Sequence, residues 1–237
     1  ILAACKRHLG RDCRARYAHI RCAHIRCAHI RRERFRRRSG GGKSKQPAYL
    51  LIIDFRILGT DHIGKPGEIR VIIDTWLHPS SGAELGGAFV LDGARHVDNH
   101  VSIDHAAIDC SSEQFYRGVL GGRSRGVFNG RALIREGADG SSVLQSNANL
   151  LLSRGAEMDT KPELEIYADE VEASHGATVG QLDEAAVFYL RSRGLSDNQA
   201  RRMLTSAFCQ AVSGRLDDRE LAERIAALIE NAMPEEN

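Results

Sequence analysis

The sequence predicts a mainly β protein that ends in a small helical domain. Three observations carry this. Short apolar patches recur at close, regular spacing through the middle of the chain, at 50–53, 71–73, 89–91, 119–120, 127–128, 133–134, 150–152 and 171–179. Gly, Asp, Asn and Ser clusters separate them, as turns separate strands. After residue 182 the apolar period changes from 2 to 3.6. Aromatics make up only 5% of the chain against 23 glycines, which points to aliphatic layers joined by many turns and away from a core of large rings.

A sandwich, a barrel and a parallel β-helix all fit many short strands. Three features favour the β-helix over residues 46–182. The aliphatic side chains are of similar size, which suits stacking from one coil to the next. Asn99, Asn129, Asn147 and Asn149 are read as turn residues. Clear two-residue hairpin turns are lacking; Asp92-Gly93 and Asn129-Gly130 come nearest. The segment 164–194 reads as strand, turn, strand and then an abrupt helix.

Residues 183–237 read as three short helices. Asp183 is placed to cap the first, which carries Ala186, Val187 and Leu190, with Gly194 where a helix-ending glycine belongs. Ser196 and Gln199 fit a capping box opening the second. Its expected apolar face is Ala200, Met203, Leu204, Ala207, Phe208 and Val212, with Gly214 closing it. The third starts near Asp217 or Asp218, with Leu221, Ile225, Leu228 and Ile229 on one stripe. Such helices form either a cap on the β body or a docking module.

The net charge of +2 hides a split. Residues 1–45 hold 15 Lys/Arg and 2 Asp/Glu, the rest of the chain 18 and 29. An acidic body with a basic arm follows. The arm repeats AHIRC at 18–22 and 23–27, then AHIRR at 28–32. His19, Cys22, His24, Cys27 and His29 are residue types that bind zinc. On a helix, however, a five-residue step turns by about 140° per repeat, so the ligands would spiral instead of converging. Arginines could neutralise nucleic-acid phosphates, but only Tyr17 and Phe35 could stack on bases. A low-complexity, unfolded segment is the preferred reading. Gly40 to Ser44 ends like a phosphate loop, but the required first glycine is Arg37, so no nucleotide site is assigned.

Of six cysteines, Cys5, Cys13, Cys22 and Cys27 lie in the arm, and Cys110 and Cys209 stand far apart. No disulfide framework is visible, which suits a reducing, cytoplasmic setting. Cys110 and Cys209 are expected to act as packed small hydrophobes. The most apolar run, 48–58, is broken by Asp54 and Arg56 and is far short of the roughly 20 residues a membrane helix needs. Ile1 stands where a complete chain carries Met, so the start is not read for a targeting signal.

The stretch 93–130 contains V-D-N-H at 97–100, Y-R-G-V-L at 116–120 and R-G-V-F-N-G at 125–130. D-T-K-P-E-L-E-I-Y-A-D at 159–169, S-H-G-A-T-V-G at 174–180 and F-Y-L-R-S-R-G at 188–194 follow. Together these motifs resemble the SufB/SufD family of iron–sulfur cluster assembly proteins, with elements typical of its SufD branch. The resemblance covers about residues 84–232, roughly the last third of a full-length member. It implies a right-handed parallel β-helix with a C-terminal helical domain. It also implies a non-catalytic scaffold that pairs with a SufB-like paralogue and docks a SufC-like ABC ATPase. The cluster would be transient and shared with the partner, and the participation of a flavin in the complex is left open. The functional histidine of the family's C-S-H-G-A-T-V-G motif falls on His175, while the motif's cysteine is Ala173 here. The stretch 139–145 and residues 1–80 depart from the family pattern.

His175 shares strand parity with Val171, Ala173, Ala177 and Val179. By itself, a histidine on an apolar face is more often packed and locally satisfied than a ligand. The resemblance reverses that preference and makes His175 the candidate iron or cluster ligand. A neutral imidazole can bind through one nitrogen while a second group holds the other. The remaining ligands would come from the partner, since clusters are held mostly by cysteine thiolates. Leu221, Ile225 and Leu228 are the candidate ATPase-docking residues. The acidic run Glu163, Glu165, Asp169, Glu170 and Glu172 is read as a solvated strand face. Two alternatives stand beside this reading. One is a shortened, non-functional remnant of the family. The other is a β-helix carbohydrate-active enzyme using Asp98, His100, Asp104 and His105, which would need paired carboxylates about 5–10 Å apart in a cleft.

Overall fold

The computed structural model describes residues 2–8, 47–52 and 68–233, with side chains over 69–233. The strands are β1 (Leu2–His8), β2 (Pro47–Ile52), β3 (Glu68–Leu77), β4 (Gly82–Leu91), β5 (His96–His105), β6 (Ser111–Leu120), β7 (Arg125–Ile134), β8 (Ser142–Leu151), β9 (Glu157–Ile166) and β10 (Glu172–Gly180). From β3 onward no strand pairs with its immediate successor. Each pairs in parallel with the strand two further on, so β3-β5-β7-β9 form one sheet and β4-β6-β8-β10 the other. This is a parallel β-solenoid of about four turns over 69–180, as expected from the evenly spaced patches. β1 and β2 add to the β4 edge as antiparallel strands. β1 lies in the stretch expected to be an unfolded arm. The rest of that arm, with its His/Cys pentapeptides and Gly40 to Ser44, lies outside the described residues.

Alternate residues of the solenoid strands β3 to β8 point into its interior. Ile69, Val71, Ile73, Leu85, Phe89, Leu91, Val97, Val101, Ile103, Tyr116, Leu120 and Phe128 make up most of its buried core. Wide side chains sit beside glycines on neighbouring turns. A Cβ at Gly87 would lie 2.2 Å from the Tyr116 ring, its registered neighbour. Tyr116 in turn meets Phe128 of the opposite sheet, with ring centroids 4.7 Å apart. This is close packing by shape, in which large and small residues alternate along a stack.

The corners differ from the sequence reading. Asn99, Asn129, Asn147 and Asn149 lie within β5, β7 and β8, and all but Asn129 are buried. The corner ahead of each strand of the β4 sheet is turned by Ser80 (φ 52°), Asp109 (φ 54°), Gly140 (φ 68°) and Glu170 (φ 52°). Ser80 N donates to Ile108 O at 3.0 Å, and Asp109 N to Asp139 O at 2.9 Å. Three of the four are not glycine, so the interturn ladder holds them in the left-handed region against its ordinary cost.

The tail forms α1 (Glu184–Ser192), α2 (Asp197–Gln210), a single 3-10 turn (Ser213–Arg215) and α3 (Arg219–Ala232). The expected caps are in place. Asp183 accepts from Ala185 N, Ser196 and Gln199 close a reciprocal capping box, and Asp218 accepts from Leu221 N. The helices fold back onto the outer face of the β4 sheet. Ala88 and Val119 pack there against Cys209, Val212, Leu221, Ile225, Ile229 and Met233, with Phe115 and Phe208 alongside. The α2 face differs from expectation. It buries Ala200, Thr205, Ser206 and Cys209, while Met203 and Ala207 are exposed. Polar contacts set this rotation, since Ser206 Oγ donates to Glu230 Oε2 at 2.5 Å and Arg202 pairs with Glu230 Oε1 at 2.9 Å, tying α2 to α3. Arg117 lies over the Phe115 ring at 3.8 Å, and Arg215 pairs with Glu113, so cations line the seam between helices and sheet.

Candidate functional site at the last turn of the solenoid

β10 is the last strand of its sheet and pairs only with β8; β9 is the last of the other and pairs only with β7. Among the described residues no further turn covers them. Every residue of β10 is exposed. Its outer edge and that of β9 therefore present unpaired backbone donors and acceptors, a ready template for another chain.

His175 sits in the middle of β10, and register fixes its direction. Residues paired across a parallel ladder share a face. His175 pairs with Gln145, Gln145 with Gln114, and Gln114 with Leu85. The last three are buried, at 2%, 1% and 2% exposure. His175 is thus the end member of an interior file. The parity reading was sound, but the ring is not packed: His175 is exposed, and among the described residues no turn covers it. Behind it the interior is polar. Gln145 Nε2 donates to Gly130 O at 3.2 Å, Asn149 Nδ2 to Asn147 Oδ1 at 2.7 Å, and Thr160 Oγ1 to the same oxygen at 2.7 Å.

The other candidates are dispersed. Among the described residues no group of three or more His, Cys, Asp or Glu side chains is gathered to hold a metal ion. A cluster at His175 would need ligands from elsewhere, as one imidazole cannot hold it. Cys110 and Cys209 are free and buried. Burial raises both thiol pKa values, that of Cys209 to about 12, so neither offers a thiolate.

The docking triad divides. Leu221 and Ile225 are buried against the solenoid and cannot meet a partner; Leu228, at the edge of the same stripe of α3, is 43% exposed. One stripe cannot serve as both core and docking face. The large exposed apolar side chains of the helices are Phe188, Tyr189, Met203 and Leu228. Phe188 and Tyr189 are adjacent on α1, which buries only Val187, so a helix with surplus apolar residues was the signal for them.

The carboxylates proposed for sugar chemistry do not meet. Asp98 and Asp104 are six residues apart on one strand, about 20 Å at the usual rise. Each is already engaged. Asp98 pairs with Arg70 (2.6 Å) and His100 (2.8 Å), and Asp104 with Arg135 through both oxygens. His105 faces the interior, with Nε2 2.8 Å from Ser112 Oγ. The carbohydrate-enzyme reading therefore loses its site. The acidic run is likewise neutralised in part: Glu163 pairs with Lys161, and Glu165 takes both prongs of Arg131, which lower its carboxyl pKa. No helix among the described residues is long and apolar enough to cross a membrane.

Comparison with known proteins agrees with this architecture. Residues 70–208 match the family model described as SUF system FeS cluster assembly, SufBD core domain. The chain is 39% identical over 137 residues to the iron–sulfur cluster assembly protein SufD of Escherichia coli, covering 58% of this chain and 32% of that protein. It is 36% identical over 163 residues to a SufBD family protein of Mycobacterium leprae, covering 65% and 42%. Against the chloroplastic protein ABCI7 of Arabidopsis thaliana it is 30% identical over 164 residues, covering 68% and 34%. The chain spans about a third to two fifths of the length of these relatives. A family match over more than half of the chain, on a solenoid with a helical tail, makes this chain a member of the SufBD core-domain family of the SUF iron–sulfur cluster assembly system.

Proposed function

We propose that this chain is a non-catalytic scaffold subunit of a SUF assembly complex in a reducing, cytoplasmic setting. Its uncovered β9–β10 end pairs with a SufB-like paralogue, and His175 is offered there as a ligand to the nascent cluster, which is the complex's cargo. The observation that carries this is the position of His175 at the open end of an interior file, on a strand exposed along its whole length. An edge strand placed against a partner gains main-chain hydrogen bonds and fixes the register of the imidazole in one step. The missing thiolates then come from across the interface. The exposed Phe188, Tyr189, Met203 and Leu228 form the docking face for a SufC-like ATPase, in place of Leu221 and Ile225.

The test is anaerobic co-expression of the tagged full chain with its cognate SufB-like and SufC-like proteins. Both partners should be recovered with the wild type and with His175→Ala, since the ring is exposed and its loss opens no core cavity. Only the wild-type complex should carry the visible absorbance of a cluster. A His175→Ala complex that matures clusters at the wild-type rate removes the ligand role. Loss of both partners from the wild type removes the scaffold reading altogether.

A further inference from the structure

Behind His175 in the interior file stands Gln145, 2% exposed. Its amide nitrogen is used, donating to Gly130 O across the solenoid at 3.2 Å. Its Oε1 is shut off from solvent and has no hydrogen-bond partner. An idle buried acceptor costs about 1–3 kcal/mol. One turn earlier, Gln114 makes the same kind of crossing bond, donating to Arg131 O at 3.3 Å. Its Oε1 is likewise without a hydrogen-bond partner, but it is enclosed against Gly130, where an added Cβ would come within 2.7 Å, and has no histidine next in its file. For Gln145, the next member of the file is His175 itself, one strand spacing away, or about 4.8 Å. That gap is within reach of a rotation of either side chain.

We propose that Oε1 of Gln145 accepts the ring N–H of His175. Gln145 is then a positioning residue: it selects one imidazole tautomer and turns the other nitrogen, with its lone pair, toward the uncovered end. A ligating histidine ordinarily has its second nitrogen held in this way, which fixes ring orientation and raises ligand basicity. Here the holding group is a neutral amide inside the solenoid, so the bond needs no partner chain and orients the ring before a partner arrives. The hydrogen bond rests on the register and on the idle Gln145 oxygen; its role in cluster assembly rests on the reading of His175 as a ligand.

The experiment is long-range proton–nitrogen NMR of the His175 ring in the full chain, assigned by difference from His175→Asn. In the wild type, one ring nitrogen should be protonated and the other not, as a single tautomer. Gln145→Leu should return the ring to the mixture of tautomers found for free imidazole. Gln114→Leu, an equally buried amide one turn back, should leave the single tautomer intact. In the assembled complex, Gln145→Leu should slow cluster formation about 10-fold or more, and Gln114→Leu should not. A tautomer mixture in the wild type, or a single tautomer that survives Gln145→Leu, overturns the proposal. Should Gln145→Leu fail to fold, a crystal structure of the wild type decides. A ring nitrogen about 2.7–3.2 Å from Oε1 supports the bond, and a gap beyond that range, where no hydrogen bond forms, rejects it. If the tautomer is fixed by Gln145 but His175→Ala still matures clusters, the ligand reading fails while the hydrogen bond stands.

Discussion

Ser112 Oγ lies 2.8 Å from Nε2 of His105, a bond that joins the two sheets inside the solenoid. The histidine is fully buried, and its Nδ1 has no partner. Burial pulls its pKa from 6.5 down to about 4, against the opposing pull of the neighbouring Asp104 charge. Native His105 is therefore neutral at pH 7, and the unfolded chain binds a proton that the native chain refuses. The stabilisation is complete above pH 6.5. It falls as the pH drops toward 4, where the native state also takes up the proton. The whole loss amounts to about 3 kcal/mol, and the slope is at most about 1.4 kcal/mol per pH unit. Urea unfolding of wild type and His105→Asn between pH 7 and 4 isolates this term. The wild type should lose more stability than the variant over that window, and equal losses would show that His105 is not held neutral.

Gly118 occupies the gap between Phe89 and Asn149 in one interior file. An added Cβ would come within 2.4 Å of both the Phe89 ring and Asn149 Oδ1. Neither can step aside, as Phe89 is 1% exposed and Asn149 Nδ2 is tied to Asn147 and to Thr178 O. Gly118→Ala should lower stability by about 3 kcal/mol, at the upper end of overpacking costs. Gly176, next to His175, has nothing within 4 Å of its would-be Cβ, and Gly176→Ala should change stability by no more than about 0.5 kcal/mol. Denaturant midpoints of the two variants check this. A Gly118→Ala midpoint at the wild-type value would mean that the interior is looser than the structure shows.

What the sequence showed and what it hid follow from the same geometry. Strand spacing, the change of period at 183, and the caps Asp183, Ser196 and Asp218 are local signals, and each is where it was expected. The asparagines misled because a polar residue in a β protein is usually at a turn. Here Asn147 Oδ1 accepts from both Asn149 and Thr160, which accommodates the pair inside, while Asn147 Nδ2 and Asn149 Oδ1 are left without partners. The parity of His175 was legible, but its exposure was not, since that depends on β10 being the last strand. For the same reason the helical stripe could not be assigned. Leu221, Ile225 and Leu228 look alike in sequence, and only the sheet beneath α3 decides which of them are buried.

That division within α3 makes the last prediction. Ile225 is 2% exposed against the outer face of the β4 sheet, while Leu228 is 43% exposed one turn on. Ile225→Ala should cost about 2–5 kcal/mol, as large-to-small core changes do. Leu228→Ala should cost no more than about 0.5 kcal/mol. ATPase capture should order them differently. Phe188→Ala, Tyr189→Ala and Leu228→Ala combined should keep the unfolding midpoint near the wild-type value and abolish recovery of the SufC-like protein. Ile225→Ala should lower recovery only in proportion to the protein that has unfolded. Full ATPase recovery by the triple variant would move the docking face away from these residues, and a large stability loss from Leu228→Ala alone would show that α3 is rotated so as to bury Leu228 on the sheet.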